Sequence, residues 1–292
     1  MCNFSVIIPA FNAERSIRKC MDSILNQTHE SFEVVVINDG STDGTAKIVA
    51  NYGKLDPRVK LFNFENSGVS EARHRGIVNS NGHYIVFVDS DDEVNPELLE
   101  KLAKVIKKHN LPDVVRYQCK LVNDVPYKNH DRYNFYNLNQ ESLTGIEALK
   151  AWSLSGRKYA VYWLYAFKKE LFKGTEFPAL KCYEDLAVIP TLIAKAQRVV
   201  TIPYVGYKYT YNNSLSITNM EGLDKERERA LDFLEAYKYA VLNLRVNPLI
   251  SNNDFLFLLE DYNIRLQDKF ESLPKRLKEE LKLDFMFVRV RV

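Results

Sequence analysis

An open α/β sheet, doubly wound and mostly parallel, followed by a helical C-terminal extension, is the fold predicted by the sequence. Three observations predict it. Short apolar runs alternate with segments of helical periodicity from Phe4 to Ile106. The run Phe32–Ile37 is apolar without clean alternation, as in a parallel strand covered on both faces. Carboxylates stand at the ends of two of them, Asp39 after Phe32–Ile37 and Asp89–Asp92 after Tyr84–Val88, and ligands of open α/β sheets sit beyond the carboxyl ends of the strands.

The elements follow in order. Phe4–Ile8 reads as the first strand, stopped by Pro9, with Asn12 as cap for a helix from Ala13 to about Leu25 whose inward stripe is Ile17, Met21, Ile24 and Leu25. Phe32–Ile37 is the second strand. Ser41-Thr42-Asp43-Gly44 supplies turn and cap chemistry for a helix through Tyr52, and Val59–Phe64 forms the third strand. Ser70 is the expected cap of the next helix, which Asn79-Ser80-Asn81-Gly82 breaks before the fourth strand at Tyr84–Val88. Asn95-Pro96-Glu97 opens a helix with the stripe Leu98, Leu102, Val105 and Ile106, and Val114–Val122 is a further strand. Lys128–Gln140 shows no clear element. Thr144 and Glu147 form a capping box for a helix through Leu149 and Trp152, and a second helix starts near Glu184-Asp185 with Pro190 in its first turns. From Leu223 onward the chain reads as helical. Leu231, Leu234 and Leu242 mark one stripe and Phe255, Leu258, Leu259, Tyr262 and Leu266 another, divided at Asn247-Pro248.

Composition bounds the function. The 292 residues are 46% hydrophobic and 27% charged, ordinary for a globular protein, and a net charge of +2 gives no field that points to nucleic acid. Cys2, Cys20, Cys119 and Cys182 are scattered without a C-x-x-C pair, which favours a reducing cytoplasm over a disulfide framework or zinc knuckle. Met1 leads directly into a strand without a signal-peptide pattern, and no apolar run is long enough for a membrane span.

Chemistry concentrates at Val86-Phe87-Val88-Asp89-Ser90-Asp91-Asp92. Three carboxylates at the end of a core strand call for a cation, and alternation places Asp89 and Asp91 on one face, a geometry suited to hard oxygen ligation of a divalent metal. A solvated acidic turn is the plain alternative. A haloacid-dehalogenase phosphatase would carry its cluster on the first strand, and Glu93-Val94 after Asp92 departs from its pattern. A dinucleotide dehydrogenase would need a glycine-rich first turn, whereas this one is Pro9-Ala10-Phe11-Asn12.

The first hundred residues resemble the family 2 glycosyltransferases of the GT-A fold. The resemblance rests on five motifs in order: Ser5-Val6-Ile7-Ile8-Pro9-Ala10-Phe11-Asn12; Ser23-Ile24-Leu25-Asn26-Gln27-Thr28; Val36-Ile37-Asn38-Asp39-Gly40-Ser41-Thr42-Asp43-Gly44-Thr45; Asn66-Ser67-Gly68-Val69-Ser70 with Ala72-Arg73 and Gly76-Ile77; and Phe87-Val88-Asp89-Ser90-Asp91-Asp92. It implies that Pro9, Ala10 and Phe11 line the nucleotide base pocket, that Asp39 accepts from a uracil N–H, and that Arg73 faces the nucleotide or its diphosphate. Asp91 would ligate Mn²⁺ or Mg²⁺, Asp89 would contact the ribose or a metal-bound water and share in the metal site, Ser90 would join the nucleotide contacts, and Asp92 would support them. His74 stands where the family usually has Asn, and no role is assigned to it.

The second half is similar to the acceptor-side block of bacterial members through Tyr162-Trp163-Leu164-Tyr165, Lys168-Lys169-Glu170-Leu171-Phe172 and Tyr183-Glu184-Asp185-Leu186. The resemblance implies that Asp185 is the catalytic base, with Glu184 beside it. A capping acidic pair at a helix start is the structural alternative. Tyr207-Lys208-Tyr209 and Ser214-Leu215-Ser216 resemble a segment that closes over the diphosphate or the acceptor, with Lys208 toward phosphate, and Trp163 or Tyr165 would either stack on a sugar or belong to the core.

The expected organisation is a GT-A domain over 1–220, divided into a nucleotide-sugar half (1–122) and an acceptor half (123–220), with a helical region at 221–292. The expected activity is inverting transfer of a hexose or N-acetylhexosamine from a UDP-sugar to a glycan, lipid-linked or glycopeptide acceptor in bacterial surface-glycan synthesis. A nucleotide-sugar or glycan-binding module without turnover is the rival. From Leu273 on, six basic residues (Lys275, Arg276, Lys278, Lys282, Arg289, Arg291) against Glu279, Glu280 and Asp284 give +3 among apolar residues. That tail suits a docked helix, the inner membrane face or a second subunit.

Overall fold

The computed structural model describes residues 3–122, 133–134, 142–156, 159–210 and 222–291. Most of the Lys128–Gln140 segment, Ser214–Ser216 and Cys2 lie outside the described residues.

The apolar runs become one eight-stranded sheet in the order β3-β2-β1-β4-β7-β6-β8-β5. β1 (Phe4–Ala10) is buried along its whole length between β2 (Phe32–Asp39) and β4 (Tyr84–Phe87), both parallel to it, and β3 (Val59–Phe64) lies parallel outside β2. β7 (Tyr165–Lys168) pairs antiparallel with both β4 and β6 (Val114–Val122); β8 (Val199–Thr210) runs parallel to β6 and antiparallel to the short β5 (Glu93–Val94). The expected open, mostly parallel sheet is thus present, with antiparallel pairings in its second half. Strand order reverses between β2 and β4 on either side of β1, and ligands of open α/β sheets bind beyond the carboxyl ends of the strands at such a reversal.

Pro9 has a specific effect. The first strand continues through it, pairing with Ile37 of β2. Residue 9 faces β4, as Ile7 does when its carbonyl accepts from Val88 N at 3.0 Å, and proline has no N–H to extend that ladder. The pairing of β1 with β4 ends at Ile7 and Phe87, and the chain from Asp89 turns back, Asp92 N donating to Asp89 O at 3.0 Å.

Helices cover the sheet: α1 (Ile17–Leu25), α2 (Thr45–Leu55), α3 (Val69–Val78), α4 (Leu98–Lys108), α5 (Gly145–Leu154) and α6 (Glu184–Lys195). Two expected caps are corrected. Asn12 takes a left-handed conformation (φ 48°) and its side chain accepts from Thr42 N at 2.9 Å, so α1 starts at Ile17 after Ser16. Ser70 lies inside the first turn of α3, which begins after Gly68, and its hydroxyl donates to Pro178 O at 2.6 Å. The Thr144–Glu147 capping box is present as expected. In α6, Pro190 removes the N–H that would reach the Leu186 carbonyl, and the helix runs on because Leu186–Ala194 is enclosed on all sides.

The C-terminal region forms three helices, α7 (Leu223–Arg245), α8 (Asn252–Ser272) and α9 (Lys275–Arg291). α7 packs on α6, α8 on α5 and α7, and α9 on α7 and α8. The buried stripe of α7 is Ala230, Leu234, Tyr237, Val241 and Leu244; Leu242, expected inside, is 48% exposed. α8 buries Leu258, Tyr262 and Leu266, while α9 buries Leu277, Leu281, Phe285 and Val288, so the basic tail is a docked helix. Among the described residues, no helix is long and apolar enough to cross a membrane.

Candidate active site

The candidate site is built from strand ends. At the end of β1, Pro9 and Ala10 are buried while Phe11 is 52% exposed. Its loop is tied to the one after β2: Asn12 N donates to Ser41 Oγ (3.0 Å), Ala13 N to Thr45 Oγ1 (2.8 Å) and Gly44 N to Glu14 Oε2 (2.7 Å). The ties fix an aromatic face that a core residue would not leave in solvent.

Asp39 ends β2 and is 3% exposed. Its oxygens accept from Ser67 N (3.0 Å) and Gly68 N (2.8 Å), and Asn66 Nδ2 donates to its carbonyl (2.9 Å). Two glycines allow this. Gly68 holds φ 89°, and at Gly40 (φ 75°) an added Cβ would stand 2.7 Å from Asn66 N. Arg75 lies 3.6 Å from Asp39 with its guanidinium over Phe64. Each Asp39 oxygen keeps a further lone pair for an N–H donor.

The acidic cluster divides by burial. Asp92 is 1% exposed; its oxygens accept from Tyr207 Oη (2.7 Å) and Thr210 N (2.6 Å). Burial, with Asp91 and Asp89 adding to it, pushes its carboxyl well above the ordinary range. Asp89, Ser90 and Asp91 are half-buried. The end of β8 holds their backbone, since Tyr207 Oη accepts from Asp89 N (3.1 Å) and Thr210 Oγ1 donates to Asp91 O (2.8 Å). Among the described residues no three His, Cys, Asp or Glu side chains form a ready metal cage. Two half-buried carboxylates nonetheless match the hard-oxygen donor set for Mg²⁺ or Mn²⁺, which is commonly held by one or two carboxylates together with substrate phosphates.

Arg73 joins this cluster to the second half of the chain. It is 5% exposed, its NH2 donates to Asp89 Oδ1 at 2.8 Å, its NH1 to Glu184 Oε1, and its guanidinium lies 4.7 Å above the Tyr162 ring. Burial opposes the charge, but Glu184 and then Asp89 outweigh it and raise the guanidinium above its ordinary value. Burial likewise raises Glu184, with Arg73 pulling the other way. Asp185 follows, half-buried in the first turn of α6, its Oδ1 accepting from Leu186 N at 2.7 Å. The carboxylates expected on the donor and acceptor sides therefore meet through one buried arginine.

Three further candidates remain. Lys208 leaves β8 on the face opposite Tyr207 and Tyr209 and reaches Glu93, its partner in β5, at 3.6 Å. Trp163 is 5% exposed, stacked on Tyr207 (4.8 Å, 18°) and Tyr209 (5.0 Å, 9°), and Tyr165 is fully buried, so both aromatics take the core alternative. Tyr207, Thr210 and the Ser67-Gly68 amides carry contacts that sequence reasoning missed. Strand alternation at Tyr207-Lys208-Tyr209 is a signal that separates Lys208 from its neighbours.

Comparison with known proteins places the chain in a family. The model of glycosyl transferase family 2 matches residues 5–171, more than half of the chain. The chain is 30% identical over 217 residues to the glycosyltransferase GlyA of Streptococcus pneumoniae, a match covering 70% of this chain and 30% of that longer protein. Among solved structures, S. aureus TarS 1–349 in complex with UDP-GlcNAc is similar over 99% of this chain and 87% of its own (TM-score 0.64, 22% identity). The mannosyltransferase PcManGT from Pyrobaculum calidifontis, in complex with GDP-Man and Mn²⁺, is similar over 98% and 80% (TM-score 0.57, 19% identity). With its GT-A-like sheet and the match over residues 5–171, the chain belongs to glycosyl transferase family 2.

Proposed function

We propose that the chain transfers a hexose or N-acetylhexosamine from a UDP-sugar to a hydroxyl of a bacterial glycan, lipid-linked or glycopeptide acceptor, with inversion at the anomeric carbon. The observation that carries this reading is the Asp89–Arg73–Glu184 bridge, which joins the acidic cluster at the end of β4 to the acidic pair that opens α6. The UDP-GlcNAc complex of TarS supports the choice of donor class.

Phe11 is exposed for stacking on the base, and Asp39 is poised to accept from a ring N–H. Asp91 and Asp89 would hold Mn²⁺ or Mg²⁺, a role supported by the Mn²⁺ complex of PcManGT. Such an ion supplies Lewis-acid stabilisation to the departing diphosphate. The acceptor oxygen bonds to the anomeric carbon from the face opposite the diphosphate, the carbon–oxygen bond to UDP breaks with its electron pair, and Asp185 takes the hydroxyl proton. Asp92, buried and held by Tyr207 and Thr210, would keep the cluster in place. With a lipid-linked acceptor the work would take place in the cytoplasm at the inner membrane face.

A screen of UDP-Glc, UDP-Gal, UDP-GlcNAc and UDP-GalNAc for UDP release tests the reading. Release from at least one donor with Mn²⁺, abolished by EDTA, is the expected result; nucleotide-sugar binding with no release from any would favour the binding module.

A further inference from the structure

We infer that the C-terminal helices set the position of the base-bearing end of α6, and that Asp232 on α7 is the positioning residue; this rests on Asp185 being the base. The residue before the acidic pair, Tyr183, holds φ 62° and ψ 18°. That left-handed conformation crowds the Cβ of any L residue and is an outlier for a bulky aromatic. Such conformations persist only where the surroundings over-determine them.

Here the surroundings are α7 and α8. Immediately before Tyr183, the N–H groups of Lys181 and Cys182 both donate to one oxygen, Asp232 Oδ2, at 3.1 and 3.0 Å. The Tyr183 ring meets Phe233 edge-on at 5.2 Å and 88°, and its hydroxyl receives Lys269 Nζ of α8 at 3.1 Å. Lys181 also pairs with Glu228, and Tyr239 Oη donates to Glu176 O at 2.7 Å. Glu228, Asp232 and Tyr239 recur at helical spacing, so one stripe of α7 grips the whole approach to α6. Asp232 binds two consecutive backbone amides, as an anion does in a nest of N–H groups. Their direction sets the left-handed turn, and the turn leads into the start of α6, where Glu184 pairs with Arg73 and Asp185 follows.

The test compares D232A and D232N with wild type, using the UDP-sugar that gives release in the screen above. D232A should lower kcat roughly ten- to a hundred-fold, the scale of a misplaced reacting group, with the donor KM within about twofold. D232N should keep kcat near wild type, because a single amide oxygen can accept both N–H groups. In D232A, hydrogen exchange should speed up at the amides of residues 181–185 while those of α7 stay protected, a readout independent of activity. Wild-type kcat in D232A, equal impairment in D232N, or unchanged exchange at 181–185 would each overturn the inference. D185N assayed alongside separates the two claims. An inactive D185N with a fully active D232A removes only the positioning role, whereas an active D185N removes the base and this role with it.

Discussion

Arg73 shows what a single side chain contributes. Its partners lie 16 and 111 residues away in sequence, Asp89 on the strand end and Glu184 on α6, and all three groups are removed from bulk water to different degrees. Removing one partner of a buried ion pair leaves the other charges uncompensated. R73M should therefore lower unfolding stability by about 3–5 kcal/mol, measured by urea titration. R73K should recover only part, since an ammonium cannot present the two directed guanidinium N–H groups. A loss below about 1 kcal/mol in R73M would mean that solvent already screens the triad. The type and motif of Arg73 are legible in the sequence, where the resemblance implies that it faces the nucleotide or its diphosphate; its distant partners Asp89 and Glu184 are not. Asn12 was misassigned for another reason: asparagine suits both helix caps and left-handed turns, and contacts with Ser41 and Thr42 decide between them.

At the level of elements, the parallel strands are tied at both ends. While the carboxyl ends carry the site, Glu33 locks the amino-terminal ends, accepting from Ser5 Oγ of β1 (2.6 Å), from Lys60 Nζ of β3 (2.6 Å) and from the Asn81 amide before β4. Burial alone would raise its carboxyl, but the bonds from Lys60, Ser5 and Asn81 outweigh it and hold the group below its ordinary value. A carboxylate lowered in the folded state contributes stability above its unfolded pKa, and that contribution is lost as pH falls through the folded value. E33Q should cost about 1–3 kcal/mol at neutral pH. Thermal melts should show the wild-type advantage shrinking below about pH 4.5; an advantage that is flat from pH 7 to 3 would contradict this origin. The strands and most helices could be read from sequence because their apolar periods are local. The antiparallel placement of β7 between β4 and β6 could not, since it depends on pairings between segments far apart in the chain.

Over the whole molecule, the residues proposed to bind the donor belong to the parallel half of the sheet and the acidic pair to α6, and the C-terminal helices brace the segment that leads into α6. The carboxylates of the site were legible because charges at the ends of apolar strands are costly without a partner. The frame that aims them was not, because Tyr207, Thr210 and Asp232 act through contacts bridging 50 residues or more. The expectation of a separate helical region says little about the Asp232 contacts, which tie α7 to the segment before α6. Turnover and UDP affinity of D185N, measured on the same preparation with Mn²⁺ present, bear most directly on the proposed chemistry. Turnover lower by roughly 10²- to 10⁴-fold with UDP affinity nearly unchanged is the predicted result; turnover equal to wild type would remove Asp185 from the mechanism.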